Sequence, residues 1–272
     1  MATKERLAII GGGNIGQSIA RGVVSSKLLS PEQVTLTRRH LEPLLTLKEQ
    51  GFVVHSDNRL AVRESDTVIV AVRPEHLSDV LDEICIELDE RRHVLISSVT
   101  GATIAKILSI LRKELTVVRS MPNTAVAIGE SMTCLSAAEG HREGLERAQQ
   151  IFSSVGLTMV IDEELMIPAT ALCACGVAFF LRCIRAASQG GIEIGFHAEE
   201  AITLAAQTAR GAASLLLQME THPESEIDKV TTPMGCTIAG LNRMEHEGFS
   251  SAMIKGIVTS ANKAANITGK KD

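Results

Sequence analysis

The sequence predicts an α/β protein in two parts: a doubly wound, mainly parallel β-sheet domain over residues 1–162, then an all-helical domain over 163–272. Three observations carry this expectation. In the first part, short apolar runs without polar alternation recur between stretches of helical periodicity. A glycine-rich turn joins the first such run to the first helix, and strand-like runs cease after Asp162. A strand covered on both faces reads as a continuous apolar run, and strands that alternate with helices fold as parallel crossover units.

Taken in order, RLAII (Arg6 to Ile10) is the first strand, GGGNIG the turn, and QSIARGVVSS the first helix. Gly11, Gly13 and Gly16 thus fall between a strand and a helix in the spacing of a Rossmann-type dinucleotide fingerprint. Gly11 permits the tight turn, Gly13 lets a pyrophosphate approach the backbone, and Gly16 lets helix and strand pack closely. Amides at the helix start, around Asn14 and Ile15, then receive the phosphate charge. VTLT (Val34 to Thr37) is the second strand, followed by Thr37-Arg38-Arg39 with no acid until Glu42. NAD-preferring sites place a carboxylate there for the ribose 2′-hydroxyl, whereas guanidinium groups suit a 2′-phosphate, so NADP is expected over NAD.

FVVH (Phe52 to His55), DTVIVAV (Asp66 to Val72), HVLISSV (His93 to Val99), LTVVRSM (Leu115 to Met121) and GLTMVID (Gly156 to Asp162) continue the strands. Ligands of open parallel sheets bind at the carboxyl ends of the strands, which puts Asn58, Arg73-Pro74 and the Met121–Thr124 turn near a cofactor.

The second part reads as helices over 163–187 with a break near Cys173–Gly176, then 197–219, 238–247 and 250–266. Ile202, Leu204, Ala205, Ala209, Ala212, Ala213 and Leu216 form one Ala-rich apolar face, which predicts burial by dimerisation. The stretch LMIPATALCACGVAFFL (Leu165 to Leu181) has no charge, but Pro168 and Gly176 interrupt it and it falls short of a bilayer span. A helix pair buried at a subunit interface is the expectation. The turn VTTPMGCT leads into a helix from about Ile238, with Thr237 the expected cap. One cap leaves Thr231, Thr232, Pro233 and Gly235 unexplained, and an anion-holding turn accounts for them.

Composition excludes other classes. The chain has 272 residues and a net charge of −5, with Lys and Arg scattered and neither Trp nor Tyr, which argues against a nucleic-acid surface. The start MATKERLAII holds no signal-peptide core, and the six cysteines form no CxxC pair. Reduced cytoplasmic thiols and no metal site are expected.

These blocks resemble the pyrroline-5-carboxylate reductases. The resemblance covers nearly the whole chain. It rests on IIGGGNIG, AVRP (Ala71 to Pro74), VVRSMPNT (Val117 to Thr124), IGE (Ile128 to Glu130), FSSVG (Phe152 to Gly156), TAL (Thr170 to Leu172), AAQTARGAA (Ala205 to Ala213) and VTTPMGCTIAGLNRMEHEGF (Val230 to Phe249). It implies NAD(P)H-dependent reduction of L-1-pyrroline-5-carboxylate to L-proline, the last step of proline biosynthesis, by a homodimer or larger homo-oligomer. It implies NADPH, with NADH possible, on Gly11, Gly13, Asn14, Ile15, Gly16, Thr37, Arg38, Arg39, Asn58, Val72, Arg73, Pro74 and Lys229. It implies substrate on Glu220, Thr232, Gly235, Cys236 and Asn123, with Thr237 on the ring nitrogen.

The chain departs from the family pattern at CACGVAF (Cys173 to Phe179) where SGSGPAY is common, at Met234-Gly235-Cys236-Thr237 in place of GGTT, and at Arg73 in place of Lys. Two alternatives follow. A β-hydroxyacid dehydrogenase shares the sheet half but needs a Lys on the interdomain helix, and 163–187 has none. A non-catalytic or altered-substrate relative would bind NADP without this turnover.

Overall fold

The computed structural model describes residues 5–268. Its chain forms two compact units, one running through Cys175 and rejoined by the chain from Ser260, the other spanning Gly176–Thr259.

The first unit is built on an eight-stranded sheet. Its elements run β1 (Leu7–Ile10), α1 (Asn14–Ser25), β2 (Val34–Thr37), α2 (Leu45–Glu49), β3 (Val53–His55), α3 (Asn58–Arg63), β4 (Thr67–Val70) and α4 (Leu77–Ile84). Then come β5 (Val94–Ser97), α5 (Ile104–Leu111), β6 (Thr116–Met121), β7 (Ser131–Ala137), α6 (Arg142–Ser153), β8 (Gly156–Val160) and α7 (Met166–Ala169). The strand order is β3-β2-β1-β4-β5-β6-β7-β8, so the winding reverses between β1 and β4. Such a reversal opens a crevice beyond the carboxyl ends of those two strands, where ligands of doubly wound sheets sit.

β1, β2, β4 and β5 are buried along their whole length because both faces of the sheet are covered there. On one side Leu7, Ile9, Leu36 and Ile69 pack with Ile19 and Val23 of α1 and Phe152 of α6. On the other, Ala8, Ile10, Val68 and Val70 pack with Ala61, Leu81 and Ile107 of α3, α4 and α5. At about 25 cal/mol per Å² of apolar surface removed from water, these two layers dominate the stability of the unit.

The structure differs from the sequence expectation at β7, which the sequence reading leaves out. SMTCLSA alternates polar and apolar residues, yet Ser131, Thr133 and Ser136 are buried, with Ser131 and Thr133 hydroxyls 3.2 Å apart. β7 also runs antiparallel to β6, with Met121 opposite Cys134. Only the short helical turn Thr124–Ile128 joins the two strands, too little chain for a parallel crossover.

The second unit contains α8 (Gly176–Glu193), α9 (Ala198–Met219), α10 (Pro223–Val230), α11 (Cys236–His246) and most of α12 (Phe249–Thr268). The expected break near Cys173–Gly176 is a π-helical turn, Thr170–Cys175, after which α8 runs on to Glu193. α10 is a further helix that the sequence reading treats as loop. Pro223 at its first position and the His222 ring, accepting from Glu224 N at 3.3 Å, start it. α11 begins at Cys236 with Gly235 as its N-cap, so Thr237 lies inside the first turn and does not cap it.

Sequence analysis divides the chain at 162/163, whereas the compact units divide at Cys175/Gly176. The residues between belong with the sheet because Met166 and Ala169 pack against Met121 and Cys134. The division is also held by charge. Arg119 of β6 is 3% exposed and its guanidinium meets the Glu163 carboxylate at 3.1 Å. The same Glu163 oxygen accepts the Ile104 amide of α5 at 2.7 Å.

Candidate active site

In the first unit a cleft of about 330 Å³ opens at the reversal point, lined by Gly11, Gly13, Thr37, Arg38, Asn58 and Val72 among others. The three glycines of the fingerprint do different work. A Cβ on Gly11, whose φ is +108°, would stand 2.5 Å from the Ala71 carbonyl oxygen. One on Gly16 would stand 2.3 Å from the Gly11 carbonyl oxygen. One on Gly13 would meet nothing within 4 Å. Packing within the chain therefore requires Gly11 and Gly16, while Gly13 keeps space clear for something outside it.

α1 begins immediately below that space. Gly13 is its N-cap, no side chain caps it, and its first turn carries no acid. Its leading amides, with the partial positive charge of the helix start, are free to receive a phosphate. A dinucleotide thus fits the residues present.

Arg38, Arg39 and Arg73 border the same cleft. The Arg38 guanidinium donates to the Gly12 carbonyl at 3.0 Å, so it is already aimed across the glycine turn. Arg39 is exposed, and Arg73 reaches Glu75 only at 3.9 Å. Pro74 starts a short helical turn just behind Arg73. Thr37 is buried and donates its hydroxyl to Asn58 Oδ1 at 2.6 Å, and Asn58 Nδ2 donates to Glu83 Oε2 at 2.8 Å. Ile15 packs into the core and Asn14 is exposed at the first helical position. Sequence reasoning missed Gly12, His40, His76 and Val80, which also line the cleft. For Gly12 the sequence signal was its place in the Gly11-Gly12-Gly13 run, although the reason for it, a Cβ that would stand 2.8 Å from Leu44, belongs to the fold. Glu83 sits 25 residues from Asn58 and carried none.

The remaining expected residues separate. Asn123 is buried in the first unit, where its Oδ1 accepts from Ala125 N at 3.0 Å and its Nδ2 donates to the Cys173 carbonyl at 3.3 Å. One end of that amide caps the short helical turn Thr124–Ile128 and the other ties it to the π-helical segment. Lys229, Thr232, Gly235, Cys236, Thr237 and Glu220 belong to the second unit. Thr232 and Gly235 close one turn, with Gly235 N donating to Thr232 O at 2.9 Å, and a Cβ on Gly235 would lie 2.5 Å from Thr232 Oγ1. Met234 takes the left-handed φ of +57° in that turn and is fully exposed. Cys236 and Thr237 are exposed in the first turn of α11, beside its uncapped amides. The turn is therefore an open donor set, able to grip a small carboxylate. Lys229 is paired with Glu226 at 2.6 Å, and Glu220 ends α9 with a φ of +50°.

Two thiols lie close together where the chain departs from the family pattern. Cys134 and Cys173 have their sulfurs 4.0 Å apart. A hydrogen bond from Cys134 holds the Cys173 thiol down to about 7, against the opposing effect of burial. The same bond and then burial push Cys134 up. Iodoacetamide should therefore modify Cys173 at a rate that climbs through pH 7, well below the usual value of 9.0, because the thiolate is the nucleophile. Cys134→Ala should move that climb upward by removing the donor. A Cys173 profile unchanged by the substitution would show that the pairing does not set its reactivity. Among the described residues no group of three or more His, Cys, Asp or Glu could hold a metal ion.

The second unit exposes much apolar surface. An apolar groove of about 1210 Å³ is lined by α8 and α9, including Phe180, Ile184 and Leu204, and by Met244 and Phe249. Phe180 is 61% exposed and Ile194 78%. The apolar face of α9 read from the sequence is thus not covered within the chain, where Ile202 and Leu204 remain exposed. The apolar stretch that falls short of a bilayer span in the sequence is part of a longer helical run, Glu163–Glu193, which by length and composition alone is long and apolar enough to cross a membrane, and 22% of its most apolar window is buried within the chain.

Comparison with known proteins accounts for both units. A family model described as pyrroline-5-carboxylate reductase dimerisation matches residues 163–267, and one described as NADP oxidoreductase, coenzyme F420-dependent, matches 6–101. Pyrroline-5-carboxylate reductase 1 of Dictyostelium discoideum is 53% identical over 97% of this chain. The chain spans half the length of that relative. Pyrroline-5-carboxylate reductase 2 of the same organism is 47% identical, over 97% of this chain and 94% of its own length. In fold, the chain is similar to the Plasmodium falciparum pyrroline carboxylate reductase crystallised with NADP, with a TM-score of 0.88, 23% identity and coverage of 99% and 100% of the two chains. Matched along both its sheet half and its helical half, this chain belongs to the pyrroline-5-carboxylate reductase family.

Proposed function

We propose that this chain reduces L-1-pyrroline-5-carboxylate to L-proline as the last step of proline biosynthesis, using NADPH and accepting NADH. The observation that supports the coenzyme most directly is the pattern at the glycine turn. Two glycines are demanded by the chain itself, and the third guards empty space over an uncapped helix start. The match of residues 6–101 to an NADP oxidoreductase model agrees with it.

When bound, NADPH supplies a hydride to the imine carbon, and the ring nitrogen gains a proton. The protein's own contribution is positioning and charge. The amides of Asn14 and Ile15 would hold the pyrophosphate, and Arg38 and Arg39 would face the 2′-phosphate, where planar donors fit its oxygens. On the substrate side, the amides at the start of α11 hold the carboxylate with Thr232, Gly235 and Cys236. These donors neutralise it without a competing cation beside the imine. The Thr237 hydroxyl orients the ring nitrogen and relays its proton; its ordinary pKa is too high for it to act as a strong acid at neutral pH. Glu220 and Asn123 complete the substrate set, Asn123 also holding the backbone of its own turn, and Lys229 is the remaining coenzyme candidate.

The functional form is a homodimer or a larger homo-oligomer, with a second copy covering the apolar groove on α8 and α9. An apolar face of this extent is costly in water, and the region bearing it matches a dimerisation model. The setting is the cytoplasm, where all six free cysteines stay reduced.

Thr237→Ala should lower kcat by roughly a hundredfold, the scale seen when one preorganised donor is removed, with NADPH affinity unchanged. The measurement is NADPH absorbance during turnover with pyrroline-5-carboxylate, with circular dichroism to check folding. Wild-type turnover no faster than that of the variant would remove the reductase reading and leave a coenzyme-binding relative.

A further inference from the structure

We propose that Glu83 is a positioning residue for the coenzyme, acting through Asn58. The proposal rests on the coenzyme reading of the cleft and deepens it. Asn58 lies among the cleft residues, whereas Glu83 does not, being carried on α4 behind it.

The orientation of the Asn58 amide follows from the chemistry of its neighbours. An ionised carboxylate has no proton to donate, so the end of the amide facing Glu83 Oε2 at 2.8 Å must be the NH₂ group. The opposite end is then Oδ1, and it faces Thr37 Oγ1 at 2.6 Å, so the Thr37 hydroxyl must donate. Amide oxygen and nitrogen are nearly isosteric, and without an acceptor-only neighbour nothing would prevent the group from turning over. With Glu83 in place one proton of Nδ2 is spent and the other remains available. Thr37, buried and already donating, has no proton left for a ligand. Asn58 therefore offers the coenzyme a donor of defined polarity, and Glu83 sets that polarity from outside the cleft.

The arrangement is braced. The backbone carbonyl of Glu83 accepts from Arg59 Nε at 2.9 Å, next to Asn58 in sequence. Asn58 itself opens α3, whose N-cap Asp57 accepts from Leu60 N. The sheet end, α3 and α4 thus meet at one amide.

The test is a double-mutant cycle in the full-length protein, read as the Kd of NADPH by titration calorimetry and as separate KM values for coenzyme and pyrroline-5-carboxylate. Glu83→Leu should weaken NADPH binding about tenfold, the scale of one hydrogen bond to a charged group. Its kcat and the KM for pyrroline-5-carboxylate should stay within about twofold, since the polar loss is confined to coenzyme binding. Glu83→Gln keeps an acceptor oxygen and should restore most of the affinity. In an Asn58→Ala background, Glu83→Leu should cost nothing further, because the group it positions is gone. A merely structural brace between α3 and α4 would cost the same in both backgrounds, and that result overturns the proposal. So would an unchanged Kd in Glu83→Leu. Should Glu83→Leu fail to fold, Glu83→Ala takes its place in both backgrounds, with the same tenfold loss supporting the proposal and an unchanged Kd, or an equal loss in the Asn58→Ala background, overturning it. If the wild type binds neither NADPH nor NADH, the coenzyme reading itself falls, an outcome distinct from binding that ignores Glu83.

Discussion

Gly16→Ala should cost this protein its nucleotide site. The added methyl would lie 2.3 Å from the Gly11 carbonyl oxygen and 3.1 Å from Ile9 Cγ2. The nearer atom is backbone and has no rotamer to escape into, so α1 has to move off β1. Forcing a group into a packed layer costs about 1–3 kcal/mol. The larger effect is functional, because the amides at the start of α1 travel with the helix and the phosphates lose their donors. NADPH should bind at least tenfold more weakly, at about 1.4 kcal/mol per decade, and the melting temperature should fall as well. Gly13→Ala is the informative companion. A Cβ there meets nothing in the chain, so melting should stay near wild type while NADPH affinity drops. If Gly13→Ala binds NADPH normally, the space above it is not the phosphate site.

Glu163→Ala should be the most destabilising single change at the edge of the sheet unit. Arg119 is buried on β6, and Glu163 is its partner. Removing one member of a buried pair leaves the other charged and uncompensated, at a cost of about 3–5 kcal/mol. A third of the Glu163 side chain is exposed, so water can partly replace it and the low end applies. The Ile104 amide, which donates to the same oxygen, loses its acceptor too. For a chain of this size about 3 kcal/mol corresponds to a fall in melting temperature of roughly 6–12 °C. Glu163→Gln keeps an acceptor and should fall in between. A melting temperature for Glu163→Ala within a degree or two of wild type would show that Arg119 is stabilised by something other than this carboxylate.

Much of the sheet unit was legible in the sequence because its signals are local. Seven of the eight strands were read from the sequence, most plainly β1, β4 and β5, whose apolar runs are buried on both faces, and the glycine fingerprint reports a turn whose steric demands lie largely between neighbouring strands and helix. β7 escaped because its buried hydroxyls satisfy one another across the strand, which makes a core strand look polar. α10 escaped because its faces are polar and its start relies on His222 and Pro223 rather than on apolar periodicity. The start of α11 was misplaced by two residues because Gly235 caps it through conformation alone, with no side-chain bond to announce it.

By itself the sequence determined the strand–glycine–helix unit, the two-part organisation and the hydroxyl-rich turn before α11, since each depends on residues close together along the chain. Only the tertiary structure decided that Gly13 is the glycine left facing open space, that Asn123 spends its amide on the Cys173 carbonyl, and that Cys134 meets Cys173. It alone brought Glu83 to Asn58, across 25 residues and two helices. The reason is physical. Backbone propensity and burial pattern act over a turn or a strand, whereas hydrogen-bond polarity and steric exclusion depend on atoms that the fold brings together from distant positions.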